Sequence, residues 1–187
     1  MDEVRARLAA RREGAPEGPE PLWSSDMRRA GVLIPLFVRD GGLWILFTRR
    51  TETVEHHRGQ ISFPGGGEEE DDGSLLETAL RETREEIGVD ETDVHYLGAL
   101  SPLTTVTDFY VEPYVGAIPN AYPFRVADAE IAELIEAPVT ALLDPKILER
   151  KVLPGREEPT LFYHHDRHVI WGATARMLAE LLEALKH

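Results

Sequence analysis

The chain has 187 residues, of which 34 are acidic and 20 basic, for a formal net charge of −14. A surface that negative disfavours nonspecific binding to nucleic acid or to anionic membranes. With no cysteine there is neither a disulfide framework nor a thiolate metal site. The absence of thiols would also spare a protein that handles thiol substrates from mixed disulfides, although chance composition explains it equally well. The length suits one domain with a core that needs no covalent staples. We take residues 1–187 as that domain, with 1–25 an N-terminal helix and connector. No apolar run reaches the ~20 residues needed to span a bilayer, and residues 1–13 are too charged for a secretion signal. A soluble cytoplasmic protein is expected.

In chain order, residues 4–12 suit a short basic helix, followed by a Gly/Pro/Glu-rich connector over 14–21. Residues 31–38 and 43–48 are apolar and β-prone, and Asp40-Gly41-Gly42 between them makes a hairpin. Residues 61–63 are expected as a short strand feeding a glycine turn, Phe63-Pro64-Gly65-Gly66-Gly67. Ser74 with Glu77 has the form of a capping box, and Gly88 that of a helix stop. Leu76, Ala79, Leu80, Thr83 and Ile87 recur at helical spacing between them. Strands are expected over 94–100, over 106–118 with a break at Pro113, and over 130–136. A short helix over 139–143 should follow Pro138. Residues 161–164 and 168–171 predict a second hairpin, and 174–185 a helix. Strands dominate, which suits a mixed-sheet α/β sandwich without excluding other α+β arrangements.

The helix between Ser74 and Gly88 carries the chemistry. In Arg81-Glu82-Thr83-Arg84-Glu85-Glu86, the three carboxylates fall within an arc of roughly 100°. Like charges so placed repel by about 0.2–0.5 kcal/mol per pair. The macrodipole disfavours each by about another 0.3–1 kcal/mol in a last turn. A bound hard cation such as Mg²⁺ reverses both penalties. The competing reading is a solvated surface helix, with Arg81 paired to Glu85 four residues on.

These residues resemble the Nudix hydrolase family, in which a loop–helix–loop with a glycine, an acid, Arg-Glu and Glu-Glu holds Mg²⁺ against a pyrophosphate. The spacing departs from the usual pattern: counting from Gly67 puts Gly73 at the first acidic position, whereas counting from Gly66 puts Asp72 there with one extra residue before Arg81. Thr83 replaces an aliphatic residue. The same one-residue expansion marks the coenzyme A pyrophosphatase branch. Its second signature resembles Leu46-Phe47-Thr48-Arg49-Arg50, then Gly59, then Phe63-Pro64-Gly65-Gly66. Phe47, Thr51 and Glu55 depart from it, the last by replacing a positive charge near the expected phosphate site. The resemblance extends from about Ala30 to about Leu182 and implies a Nudix-type α/β/α sandwich with a mixed β-sheet.

The resemblance implies a pyrophosphohydrolase dependent on Mg²⁺ or Mn²⁺ that cleaves coenzyme A and its derivatives to 3′,5′-ADP and 4′-phosphopantetheine. Glu82 and Glu86, four apart, are the expected primary ligands of one ion. Glu85 is the expected third ligand, with its Arg81 pair as the competing structural role. Arg81, Glu82, Glu85 and Glu86 together make up the catalytic set. Arg50, His57 and Arg58 are the expected phosphate contacts, and Gly65 and Gly66 are expected to approach the substrate or ion through their backbone. The alternatives are another nucleoside-diphosphate compound (ADP-ribose, a nucleotide sugar, a dinucleotide) or a regulator that binds nucleotides without turnover. The cluster His164, His165, Asp166 and His168 matches no zinc spacing and is expected to be a polar hairpin turn.

Overall fold

A computed structural model describes residues 1–14, 24, 26–52, 59–155 and 157–186. Its centre is a mixed sheet. β1 (Arg28–Arg39) and β2 (Gly42–Arg50) form the expected hairpin, with Leu36 opposite Ile45 and Arg39 opposite Gly42. β1 also runs parallel to β7 (Phe109–Ala117), with Ala30 beside Val111 and Leu36 beside Ala117. β3 (Ile61–Ser62) and β8 (Ile131–Pro138) pair with β2, while β5 (His95–Ala99) and β6 (Leu103–Thr104) pair with β7.

Alternation along β1 sorts side chains to the two faces of the sheet. Leu33 faces Leu75 and Ala79 of α2 (Leu75–Ile87), whereas Ile34 joins the larger cluster with Val4, Leu8, Leu178 and Leu181. Those residues come from α1 (Asp2–Gly14) and α4 (Gly172–Lys186). Helices on both faces of a mixed sheet make an α/β/α sandwich. None of the described helices is long and apolar enough to cross a membrane.

Three local outcomes differ from the sequence expectation. The glycine turn contains a short strand, β4 (Gly65–Gly67), antiparallel to β1 with Gly66 opposite Gly31. Pro113 does not break β7; it interrupts the neighbour instead, since β5 ends opposite Tyr114 and β6 resumes opposite Val111. A proline has no N–H for an antiparallel ladder, but its carbonyl still accepts from the Leu100 amide at 2.9 Å. β9 (Leu148–Lys151) adds a third strand to the hairpin of β10 (Thr160–His165) and β11 (His168–Trp171). A short helix, α3 (Val139–Leu142), follows Pro138.

α2 is the element that positions the site. Its start is capped by the Ser74 Oγ, which accepts from the Glu77 amide at 3.2 Å. The Glu77 carboxylate accepts from the Gly73 amide at 2.9 Å, one residue earlier than a strict capping box requires. Gly88 ends the helix at φ 74°, with its N–H on the Arg84 carbonyl at 2.9 Å; an L side chain is disfavoured in that conformation. Gly31 of β1 lets the helix lie directly on the sheet, since a Cβ there would stand 2.0 Å from the Leu75 carbonyl oxygen.

Candidate active site

Two arginine–carboxylate assemblies flank the last turns of α2. The first centres on Arg81. Its Nε and Nη2 donate to the two oxygens of Asp72, each at 3.0 Å. Nη2 also reaches the Gly67 carbonyl at 3.0 Å, and Nη1 reaches Glu82 at 3.1 Å and Glu85 at 3.2 Å. Every N–H of the guanidinium has an acceptor. Asp72 accepts further from the Glu69 amide and the Thr78 hydroxyl, both at 2.9 Å. The Arg81 fork holds the Asp72 carboxyl well below the usual carboxylate range, and Asp72 in turn raises Arg81. Such a bidentate pair is geometrically specific. It ties the loop after β4 to the outer face of α2, and its Gly67 bond fixes the glycine turn.

Arg81, expected within the catalytic set, is saturated by carboxylates and a carbonyl of its own chain. Glu85, expected as a third metal ligand, is half-exposed and drawn to Arg81, the structural role that competed in the sequence. Asp72, ambiguous by spacing, is the acid that completes the fork.

The second assembly centres on Glu86, which is only 3 % exposed. Its Oε1 accepts from Arg50 Nη1 at 3.3 Å and its Oε2 from the Gly65 amide at 3.4 Å. Burial pushes its carboxyl up to about 8; the Arg50 charge opposes this, while Glu82 and Glu130 add to it. Glu82 lies one turn earlier against the glycine turn. A Cβ on Gly66 would stand 2.6 Å from the Glu82 carboxyl carbon, so the bare backbone at Gly66 makes room for that side chain. Burial also raises Glu82, opposed by Arg81 and aided by Glu85 and Glu130.

Arg50 reaches this site because the β2–β8 ladder slips between Arg49 and Arg50. A bulge re-aims the side chains that follow it. Arg49 goes to Glu133 at 3.1 Å, and Arg50 goes to Glu86. The second Arg50 nitrogen, Nη2, lies 3.9 Å from Glu130. Its Nε is buried and has no hydrogen-bond partner among the described residues.

Glu130 is a site residue that the sequence did not single out. It stands at the end of a segment that satisfies the orphan carbonyls of α2: the Arg125 amide donates to Ile87 O at 3.0 Å and the Ala127 amide to Glu86 O at 2.9 Å. The Thr51 amide then bonds the Glu130 carbonyl at 2.7 Å. No local spacing signals this; the placement comes from strand pairing and helix termination.

His57 and Arg58 lie outside the described residues. In the histidine hairpin, exposed His164 meets Glu149 of β9 at 2.9 Å, whereas His168, expected at a polar surface turn, is largely covered and lies 3.6 Å from Glu133 of β8. Among the described residues no three His, Asp or Glu side chains come together as a group that could hold a metal ion. What α2 presents is a pair, Glu82 and Glu86, whose charged forms are disfavoured by burial and by neighbouring acids. A buried carboxylate, Glu86, and a half-buried one, Glu82, beside a bare glycine backbone are a hard-oxygen donor set, and they fit a divalent cation.

A mixed sheet sandwiched by helices, with a glycine strand laid along an acid-bearing helix, defines a class of α/β protein. Residues 27–164 match the NUDIX domain model, and the chain belongs to the Nudix hydrolase family. It is 36 % identical over 163 residues to an uncharacterized Nudix hydrolase, NudL, of Yersinia pestis, a match covering 86 % of this chain and 81 % of that one. Among solved structures it is similar to a MutT/nudix family protein from Enterococcus faecalis, with a TM-score of 0.56, 18 % identity, and 99 % and 72 % of the two chains covered. It is also similar to a C. elegans Ap4A hydrolase, with a TM-score of 0.52, 15 % identity, and 59 % and 80 % covered. At those identities the structures bear on the fold alone, and the fold is the expected one.

Proposed function

We propose that this Nudix hydrolase is a Mg²⁺- or Mn²⁺-dependent pyrophosphohydrolase of coenzyme A and its derivatives, releasing 3′,5′-ADP and 4′-phosphopantetheine or its acylated form. The observation that carries the reading is the meeting of Arg50 and Glu86 at 3.3 Å. Arg50 belongs to the stretch from Leu46 to Gly66 that resembles the coenzyme A branch, and Glu86 to the acid helix. The residues that would hold the cation are Glu82 and Glu86, with a backbone carbonyl of the glycine turn as a further oxygen donor. When bound, the cation neutralises phosphate oxygens and lowers the pKa of a coordinated water.

The chain's own residues do the rest. Arg81 and Asp72 fix the turn and helix so that the two acids keep their spacing, which is the positioning part of phosphoryl transfer. Arg50 supplies positive charge for phosphate oxygens on a protein that is otherwise strongly acidic. Water adds to one phosphorus of the anhydride, the bridging P–O bond breaks, and a proton leaves the water for solvent or a site carboxylate.

The test is a panel of pyrophosphate compounds with Mg²⁺ or Mn²⁺ and chromatographic separation of products. Coenzyme A carries a 3′-phosphate that dephospho-coenzyme A lacks. Its kcat/KM is expected to be higher by the equivalent of one charge-assisted contact, about 1.5–3 kcal/mol. Faster turnover of ADP-ribose, or indifference to the 3′-phosphate, would overturn the substrate assignment and leave a metal-dependent pyrophosphatase.

A further inference from the structure

We infer that Arg50 and the divalent cation compete for Glu86, and that cation binding releases Arg50 to receive a substrate phosphate, so that the two ligands reinforce each other. This rests on the function proposed above.

The contrast with Arg81 carries the inference. Arg81 is fully coordinated by its carboxylates and a carbonyl. Arg50, facing the more buried acid, makes one side-chain hydrogen bond among the described residues, through Nη1 at 3.3 Å. Its Nη2 stops 3.9 Å short of Glu130, and its buried Nε has no partner among the described residues. Burying a guanidinium N–H unmade is costly, and an arginine placed only to neutralise Glu86 would close the fork. Glu86, at 3 % exposure, cannot rely on water for its counter-charge, and Arg50 is the cationic side chain paired with it among the described residues. A divalent cation taking over that carboxylate withdraws the 3.3 Å contact of Arg50 Nη1. Nη1 is then unmade beside Nη2, which lies 3.9 Å from Glu130, and a phosphate presents two oxygens that match this end-on pair of nitrogens. The guanidinium stays near Glu130, so it is not lost to solvent. By linkage, whatever frees Arg50 strengthens phosphate binding, and phosphate on Arg50 strengthens cation binding by the same factor.

The experiment measures Mn²⁺ binding to cation-free protein by electron paramagnetic resonance of the free ion, alongside KM for coenzyme A. In Arg50→Gln the Mn²⁺ dissociation constant is expected to fall about tenfold, within the ordinary range of site-to-site coupling, while KM rises. Opposite signs in one variant are what a merely structural ion pair would not produce. Arg49→Gln is the control: it removes the same charge one residue away, from a group paired with Glu133. Its effect is expected to be under about threefold, because solvent screens a charge on that side. A measurement on the unmodified protein removes any dependence on how Arg50→Gln folds. The Arg50 Nε–H resonance should shift on adding Mg²⁺ and exchange faster with water. Unchanged or weaker Mn²⁺ binding in folded Arg50→Gln, or an Arg50 resonance indifferent to bound Mg²⁺, overturns the inference and leaves the proposed function standing. Wild-type protein that takes up no Mn²⁺ and cleaves no coenzyme A overturns the proposed function itself.

Discussion

Asp72 and Glu86 are both buried carboxylates facing an arginine, and their surroundings drive them in opposite directions. Asp72 sits in a closed fork with extra donors from Glu69 and Thr78, and is held well below the usual range. Glu86 has one long arginine contact and one long amide contact, with Glu82 and Glu130 nearby, and is pushed up to about 8. Burial is common to both; the number and length of the donors decides the sign. A carboxylate whose lone pairs are filled by its own protein holds structure together. One left short of donors is available to a ligand that brings positive charge.

That contrast breaks most visibly when each acid is removed. Asp72→Ala leaves Arg81 without its fork and is expected to cost about 3 kcal/mol of stability, the low end for opening a buried ion pair; denaturant unfolding reads it directly. Glu86→Gln should leave stability unchanged or higher, because it relieves repulsion, while the hydrolysis rate falls at least ~10²-fold, the size of one lost electrostatic contact in a transition state. A Glu86→Gln protein that unfolds early, or an Asp72→Ala protein as stable as wild type, would reverse the two roles.

The pH dependence of cation-free protein sharpens the comparison further. Glu86 is raised from its ordinary 4.5 to about 8, so its contribution to stability is fully present below about pH 4.5 and is lost as pH rises towards 8. Asp72 is lowered, so its contribution is present above its ordinary value of 3.8 and is lost as pH falls through the depressed one. Stability measured with chelator present should therefore decline from pH 5 to pH 8 in wild type, and the decline should be shallower in Glu86→Gln. Equal slopes would mean that Glu86 is not proton-linked to folding.

Much of the fold was legible because its signals are local. Ser74, Gly88 and the apolar spacing of Ala79, Thr83 and Ile87 define α2 within one or two residues, and Asp40-Gly41-Gly42 fixes the β1–β2 hairpin. The Arg81–Glu85 pair was readable from i,i+4 spacing. Other parts of the site depend on elements distant in the chain. Motif counting left Asp72 and Gly73 as rivals, because only the loop's path past Arg81 decides which of them meets the guanidinium. Glu130 has no pattern around it and enters through β8 pairing with β2 and through the amides of Arg125 and Ala127 closing the helix end. Arg50 was legible as a cation near the site, but its contact with Glu86 required a ladder slip that no propensity foretells. Pro113 predicted a broken strand, and the break fell on the partner because β7 keeps its parallel neighbour β1.

In the proposed function Glu86, unlike Asp72, is kept for a cation. The most direct test is the unfolding free energy of wild type, Glu86→Gln and Asp72→Asn with chelator and with Mn²⁺ at 100 times the wild-type dissociation constant. Mass action predicts a gain of about 2.7 kcal/mol in wild type, a similar gain in folded Asp72→Asn from a lower baseline, and almost none in Glu86→Gln. A wild-type protein indifferent to Mn²⁺, or a Glu86→Gln protein stabilised as much as wild type, would contradict the claim.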